Sequence, residues 1–159
     1  MCYLLNATSG TQVAGGNSGG DGYTQLNGTY GLYLDLSTNS MIIANSWSRN
    51  IVRWRFGASN WTQLAGTLGV QGNTSTTFSI PSDVELDPMG NIYVADYPNH
   101  RIQFFLTGES NGITIAGVTG QLGTDATLLY RPTSLILDNQ LNMYVADWYN
   151  HRIQKFLRY

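Results

Sequence analysis

Short apolar runs alternate with turn-forming residues along all 159 positions of the chain. Runs such as Leu32-Tyr-Leu34, Met41-Ile-Ile-Ala44, Ile92-Tyr-Val-Ala95 and Met143-Tyr-Val-Ala146 are rich in Ile, Val and Tyr, which suit a pleated strand. Between them lie turn signals: Pro88-Met-Gly90, Asp138-Asn139, Tyr97-Pro-Asn99 and Trp148-Tyr-Asn150. No apolar stripe with a period of 3.6 runs longer than two turns, so the pattern predicts strands and no helix.

The runs recur at a fixed interval. Ala44-Asn45, Ala95-Asp96 and Ala146-Asp147 are 51 residues apart, as are Ile51, Ile102 and Ile153, and the pairs Ala14-Gly15, Ala65-Gly66 and Ala116-Gly117. This periodicity divides the single segment 1–159 into units at about 11–61, 62–112 and 113–159. Each unit parses into four strands. Strand a falls near 31–36, 83–87 and 134–138, and strand b near 41–45, 91–95 and 142–146. Strand c falls near 50–56, 101–106 and 152–157, and strand d near 11–14, 62–65 and 113–116. Four short antiparallel strands per unit is the pattern of a β-propeller blade. A lone blade cannot bury both faces, so neighbours must stack face to face. The fold class is therefore all-β, with about three four-stranded antiparallel blades forming a partial propeller.

Two of the units carry the more specific signal. Tyr93-Val-Ala-Asp-Tyr-Pro-Asn-His-Arg-Ile-Gln103 and Tyr144-Val-Ala-Asp-Trp-Tyr-Asn-His-Arg-Ile-Gln154 closely resemble the NHL repeat. The first unit departs from it, with Asn45 in place of Asp and Arg49-Asn50 in place of His-Arg. The resemblance implies a propeller commonly of six blades. Its members bind proteins, RNA or sugars, and one relative is the peptide-amidating lyase. Met1 aligns with Val52, Gln103 and Gln154, so the chain starts and stops inside strand c. Residues 11–14 are thus expected to supply the fourth strand of the last blade, and the chain to belong to a longer propeller or to pair as two three-blade halves.

Composition narrows the partners. Charged residues are 11% of the chain, against ~25% in ordinary soluble domains. The net charge is −2 with no basic stripe, so a nucleic-acid partner is not expected. Cys2 is the single cysteine, which excludes an internal disulfide and a cysteine zinc cluster. Residues 1–5 do not read as a signal peptide, and no apolar run approaches the ~20 residues of a membrane span. An extracellular location would require a leader upstream in a longer chain.

Candidate chemistry concentrates at the b–c turns. Asp96 and Asp147 are expected to accept backbone N–H bonds from the following turn. Asn99, His100, Asn150 and His151 complete the repeat motif and are expected to be structural. Equivalent histidines on adjacent blades lie too far apart to share a zinc ion, since packed sheets are ~10 Å apart. Arg101 and Arg152 either bridge turn carbonyls and the Asp carboxylates or reach a ligand. Trp47, Tyr97, Trp148 and Tyr149 either pack between blades or form a docking patch. Asn6, Asn27, Asn60 and Asn73 each head an Asn-X-Ser/Thr sequon, a glycosylation acceptor if the chain is secreted.

No nucleophile constellation is present, and the Gly-rich stretch 15–22 lacks the Lys-Ser/Thr ending of a phosphate loop. The expectation is a non-catalytic binding or scaffold module for a protein or small ligand, with no cofactor and no metal. The alternative is a fragment of a propeller enzyme like the lyase, with metal in the central channel. Strand a offers that alternative Asp35, Glu85, Asp87 and Asp138 but no histidine.

Overall fold

The computed structural model describes residues 9–158. Blade 1 is an antiparallel sheet of β1 (Thr29–Asp35), β2 (Ser40–Asn45), β3 (Asn50–Arg55) and β4 (Thr62–Gly66), in that spatial order. Blade 2 repeats it with β5 (Pro81–Leu86), β6 (Ile92–Asp96), β7 (Arg101–Phe105) and β8 (Ile113–Gly117). Blade 3 has three strands among the described residues: β9 (Pro132–Leu137), β10 (Met143–Asp147) and β11 (Arg152–Phe156). Strands a, b and c lie where the repeat places them. Residues 11–14 form no strand, and they lie against blade 1 rather than along β11. A strand needs a hydrogen-bonding neighbour, and within one copy the expected neighbour is two blades away.

The innermost strands β1, β5 and β9 pack against one another in succession. Alternation sends one set of side chains from each blade forward and the other back. Ile42, Ala44, Ile51 and Ala65 at the back of blade 1 meet Val84, Leu86, Ile92, Val94 and Phe105 at the front of blade 2. Ala95, Ile102 and Ala116 at the back of blade 2 meet Leu135, Met143 and Val145 of blade 3. Phe78 and Leu129, in the d-to-a connections, plug the outer part of each interface. Each interface between blades has its own apolar cluster, built from equivalent residues, and the architecture is a partial propeller.

Candidate functional site

Each b–c link is a single 3-10 turn: Ser46–Ser48, Tyr97–Asn99 and Trp148–Asn150. Each ends on a residue in the left-handed region, Arg49 (φ 64°), His100 (φ 58°) and His151 (φ 53°). This conformation reverses the chain into strand c and turns the side chain toward the next blade. His100 Nδ1 accepts the N–H of Arg131 at 3.2 Å, and the Arg49 guanidinium donates to the Ser79 carbonyl, both across a blade boundary. His100 is buried, and desolvation lowers its pKa, with Arg131 adding to the effect. His151, with no following blade among the described residues, is exposed.

The Asp-Asn-Arg part of the motif is a clamp. Asp96 Oδ2 accepts Asn99 Nδ2 at 2.7 Å and Arg101 Nε at 3.1 Å, while its Oδ1 accepts the N–H of Ser79 at 2.9 Å. Arg101 then donates to the carbonyls of Asn73, Thr74 and Thr77. Asp147, Asn150 and Arg152 do the same to Tyr130 N–H and to the carbonyls of Thr124, Asp125 and Leu128. The sequence reading had the carboxylates capping the turn that follows. They fasten the d-to-a connection that leads into their blade instead, because that loop carries backbone groups no sheet ladder satisfies. Burial pushes the Asp96 pKa up, against the pull of Asn99, Arg101 and the Ser79 N–H. Arg101 is 2% exposed and its donors are all committed, so it does not stand on a ligand-facing surface. Arg152 makes the same bonds half-exposed.

The aromatic residues of these turns do converge. Tyr97 and Trp148, with Tyr30, Ile80, Ser82 and Thr133, line a cleft of about 410 Å³. Tyr30, Ser82 and Thr133 lie at equivalent positions at the start of the three innermost strands, so the cleft lies over their ends. The walls are mostly apolar. Ser82 Oγ is partly engaged by the carbonyls of Ala95 and Pro132. Beside the cleft the aromatic rings continue as a row: Tyr97 to Trp148 at 5.8 Å, Trp148 to Tyr149 at 4.7 Å, and Tyr149 to Tyr130 at 4.8 Å between centroids. The Arg131 guanidinium lies over both Tyr97 and Tyr149, at 5.5 and 5.0 Å from their centroids. Trp47, at the same turn of blade 1, is exposed but stands against Gly28 and does not line the cleft. Tyr30, Tyr130 and Arg131 escaped the sequence reading. Tyr30 sits at the start of strand a, and its alignment with Ser82 and Thr133 was the available signal.

On the inner strand of blade 2, desolvation pushes the Glu85 pKa up to about 7, with nearby Asp83 adding repulsion. Asp83 itself ties blades 2 and 3, accepting Ser134 Oγ at 2.6 Å and the N–H of Leu135 at 3.0 Å. Asp35, Asp87 and Asp138 each hold their own a–b turn. Asp87, for example, accepts the N–H groups of Met89 and Asn91 and the Asn91 amide. No group of three or more His, Cys, Asp or Glu suited to a metal ion occurs among the described residues. Of the sequon asparagines, Asn60 and Asn73 are exposed and Asn27 is half-buried; Asn6 lies outside the described residues, as does Cys2.

An all-β array of stacked blades with this clamp defines a repeat propeller. Residues 78–105 and 129–156 match the NHL repeat, so blades 2 and 3 each carry one. No curated protein sequence matches significantly. Among solved structures, the chain is similar to one described as an auxiliary nutrient binding protein from Bacteroides thetaiotaomicron VPI-5482 (TM-score 0.64, 19% identity, 78% of this chain and 36% of that one). It is also similar to a protein of unknown function from the same organism (TM-score 0.71, 13% identity, 81% and 34%) and to a streptogramin B lyase (TM-score 0.59, 10% identity, 82% and 37%). The chain spans about a third of the length of these structures, and identities this low speak to fold alone.

Proposed function

We propose that this segment is a ligand-recognition module whose binding site is the aromatic cleft over the ends of the innermost strands. The observation that carries the reading is the convergence of Tyr30, Tyr97 and Trp148, one from each of three blades, around a cavity with few polar groups. Concave, mainly apolar sites with sparse hydroxyls suit a small ring-bearing ligand that stacks on aromatic faces, such as a sugar. A nutrient-binding description for one structural neighbour is in keeping with this. Clamped b–c turns hold two of the three rings from behind, so the site is built before the ligand arrives. The Asp-Asn-Arg residues act as scaffold. Titration of the chain with mono- and oligosaccharides, followed by tryptophan fluorescence, tests the reading. Saturable quenching lost in Trp148→Phe supports it, and the same response in Trp148→Phe and Tyr97→Ala chains would refute it.

A second reading rests on Glu85. A carboxyl with a pKa near 7 has the poise of a general acid or base, and a lyase shares the fold. The channel-metal version of this reading is weaker, because Asp35, Asp87 and Asp138 spend their oxygens on their own turns.

A further inference from the structure

Arg131 stands in a backbone slot that a glycine fills in blade 1. The residue before the innermost strand is Gly28 in blade 1, Ile80 in blade 2 and Arg131 in blade 3. In blades 1 and 3 the middle residue of the b–c turn bonds back to this loop. Trp47 N–H donates to the Asn27 carbonyl at 3.0 Å, and Tyr149 N–H donates to the Tyr130 carbonyl at 3.1 Å. The residue after each acceptor is left-handed, with φ 57° at both Gly28 and Arg131. In blade 2 the middle residue is Pro98, which has no N–H to give. Tyr97 N–H donates to the Ile80 carbonyl at 3.2 Å instead, and Ile80 is not left-handed. Positive φ suits glycine and strains a long side chain. Blade 1 obeys that rule and blade 3 breaks it. Strain of this kind clusters where a ligand is clamped.

The strained backbone is pinned from both sides. Arg131 N–H donates to His100 Nδ1 at 3.2 Å, and the Tyr130 N–H before it donates to Asp147 Oδ1 at 2.6 Å. Pro132 follows and opens β9, so the side chain leaves from a fixed point. Its guanidinium lies over Tyr97, which walls the cleft, and over Tyr149, and Nη1 donates to Tyr149 Oη at 3.3 Å. Arg53, Arg101 and Arg152 each pair with an aspartate, whereas no carboxylate pairs with Arg131 among the described residues. Contact with a ring leaves most of the five N–H donors of a guanidinium unspent. Their fork matches the two oxygens of a carboxylate.

We propose that Arg131 selects the ligand of the aromatic cleft for negative charge, and that the ligand is a saccharide bearing carboxylates, a uronic-acid oligomer. This rests on the ligand reading above and adds the anion to it. One sugar ring stacks on Tyr97 and Trp148 in the cleft. Arg131 stands beside Tyr97 and not in the cleft wall, so the carboxylate of a neighbouring unit reaches it at the rim. The cleft itself is lined by Tyr30, Ile80, Ser82, Tyr97, Thr133 and Trp148, none of which carries a charge to answer an anion. The Asp96 and Asp147 carboxylates behind the turns are neutralised by their own arginines and do not offset Arg131.

Fluorescence titration with trigalacturonate and with its fully methylated ester is the test. The two share rings and hydroxyls, and only the acid is charged. The unaltered chain should bind the acid about tenfold more tightly than the ester, the worth of one charged hydrogen-bonded contact. Added salt should narrow that ratio. Two variants probe the residue itself. Arg131→Gly fits the left-handed slot as Gly28 does, and Arg131→Gln keeps a polar side chain without the charge. In both, acid and ester should bind within about twofold of each other, with the ester held as in the parent. Equal affinity for acid and ester in the unaltered chain overturns the proposal, as does an acid preference that survives in both variants. If neither form binds while other saccharides still quench Trp148, this proposal fails alone. If no saccharide quenches, the ligand reading fails with it.

Discussion

Blades 2 and 3 carry nearly the same residues in nearly the same geometry, yet they are different physical objects. Arg101 and Arg152 clamp equivalent loop carbonyls, but Arg101 also donates to Thr119 Oγ1, and their side chains are 2% and 30% exposed. Ile102 is sealed by blade 3, and Ile153 faces outward. The two blades differ in what covers strand c: β7 has β8 beside it and blade 3 behind it, whereas β11 has neither among the described residues. Burial, and with it the energetic weight of each motif residue, is a property of position in the stack.

That contrast yields graded expectations. Asp96→Ala leaves the Arg101 guanidinium buried without its counter-charge and should cost about 3–5 kcal/mol in urea unfolding. Asp147→Ala should cost less, because water reaches Arg152. Next comes Ile102→Ala, which opens a cavity in the interface between blades 2 and 3 and should cost about 2–5 kcal/mol. Ile153→Ala should fall within about 0.5 kcal/mol of the parent. Trp148→Ala removes one wall of the cleft and should weaken ligand binding about tenfold, a change of ~1.4 kcal/mol, with the unfolding midpoint nearly unmoved because Trp148 is exposed.

A further effect concerns pH. Glu85 is raised from an ordinary carboxylate value to about 7 in the folded chain, so folding favours its protonated form. Its contribution to stability is fully present below pH 4.5 and is lost as pH rises through about 7. Glu85→Gln should flatten that part of the stability profile and raise the urea midpoint at pH 8. Equal pH slopes in the two chains would contradict the assignment.

Much of this was legible from spacing alone. The 51-residue interval located strands a, b and c because each is set by local alternation and local turns. The aromatic turns at Tyr97 and Trp148 were legible for the same reason. Residues 11–14 were not, since a strand exists only against its partner and that partner is not local. Tyr30 and Arg131 were missed because the cleft is assembled across three blades, and no single unit contains it. The Asp carboxylates were assigned to the wrong loop. Sequence proximity favours the following turn, whereas the loop most in need of acceptors and donors is the one that leads into the blade.

The central claim is that the covering strand and blade, and not the motif, confer burial. Amide hydrogen exchange in the chain tests it most directly. The account predicts strong protection throughout β7 and rapid exchange at those amides of β11 that point away from β10. Equal protection of the two strands in that chain would contradict it.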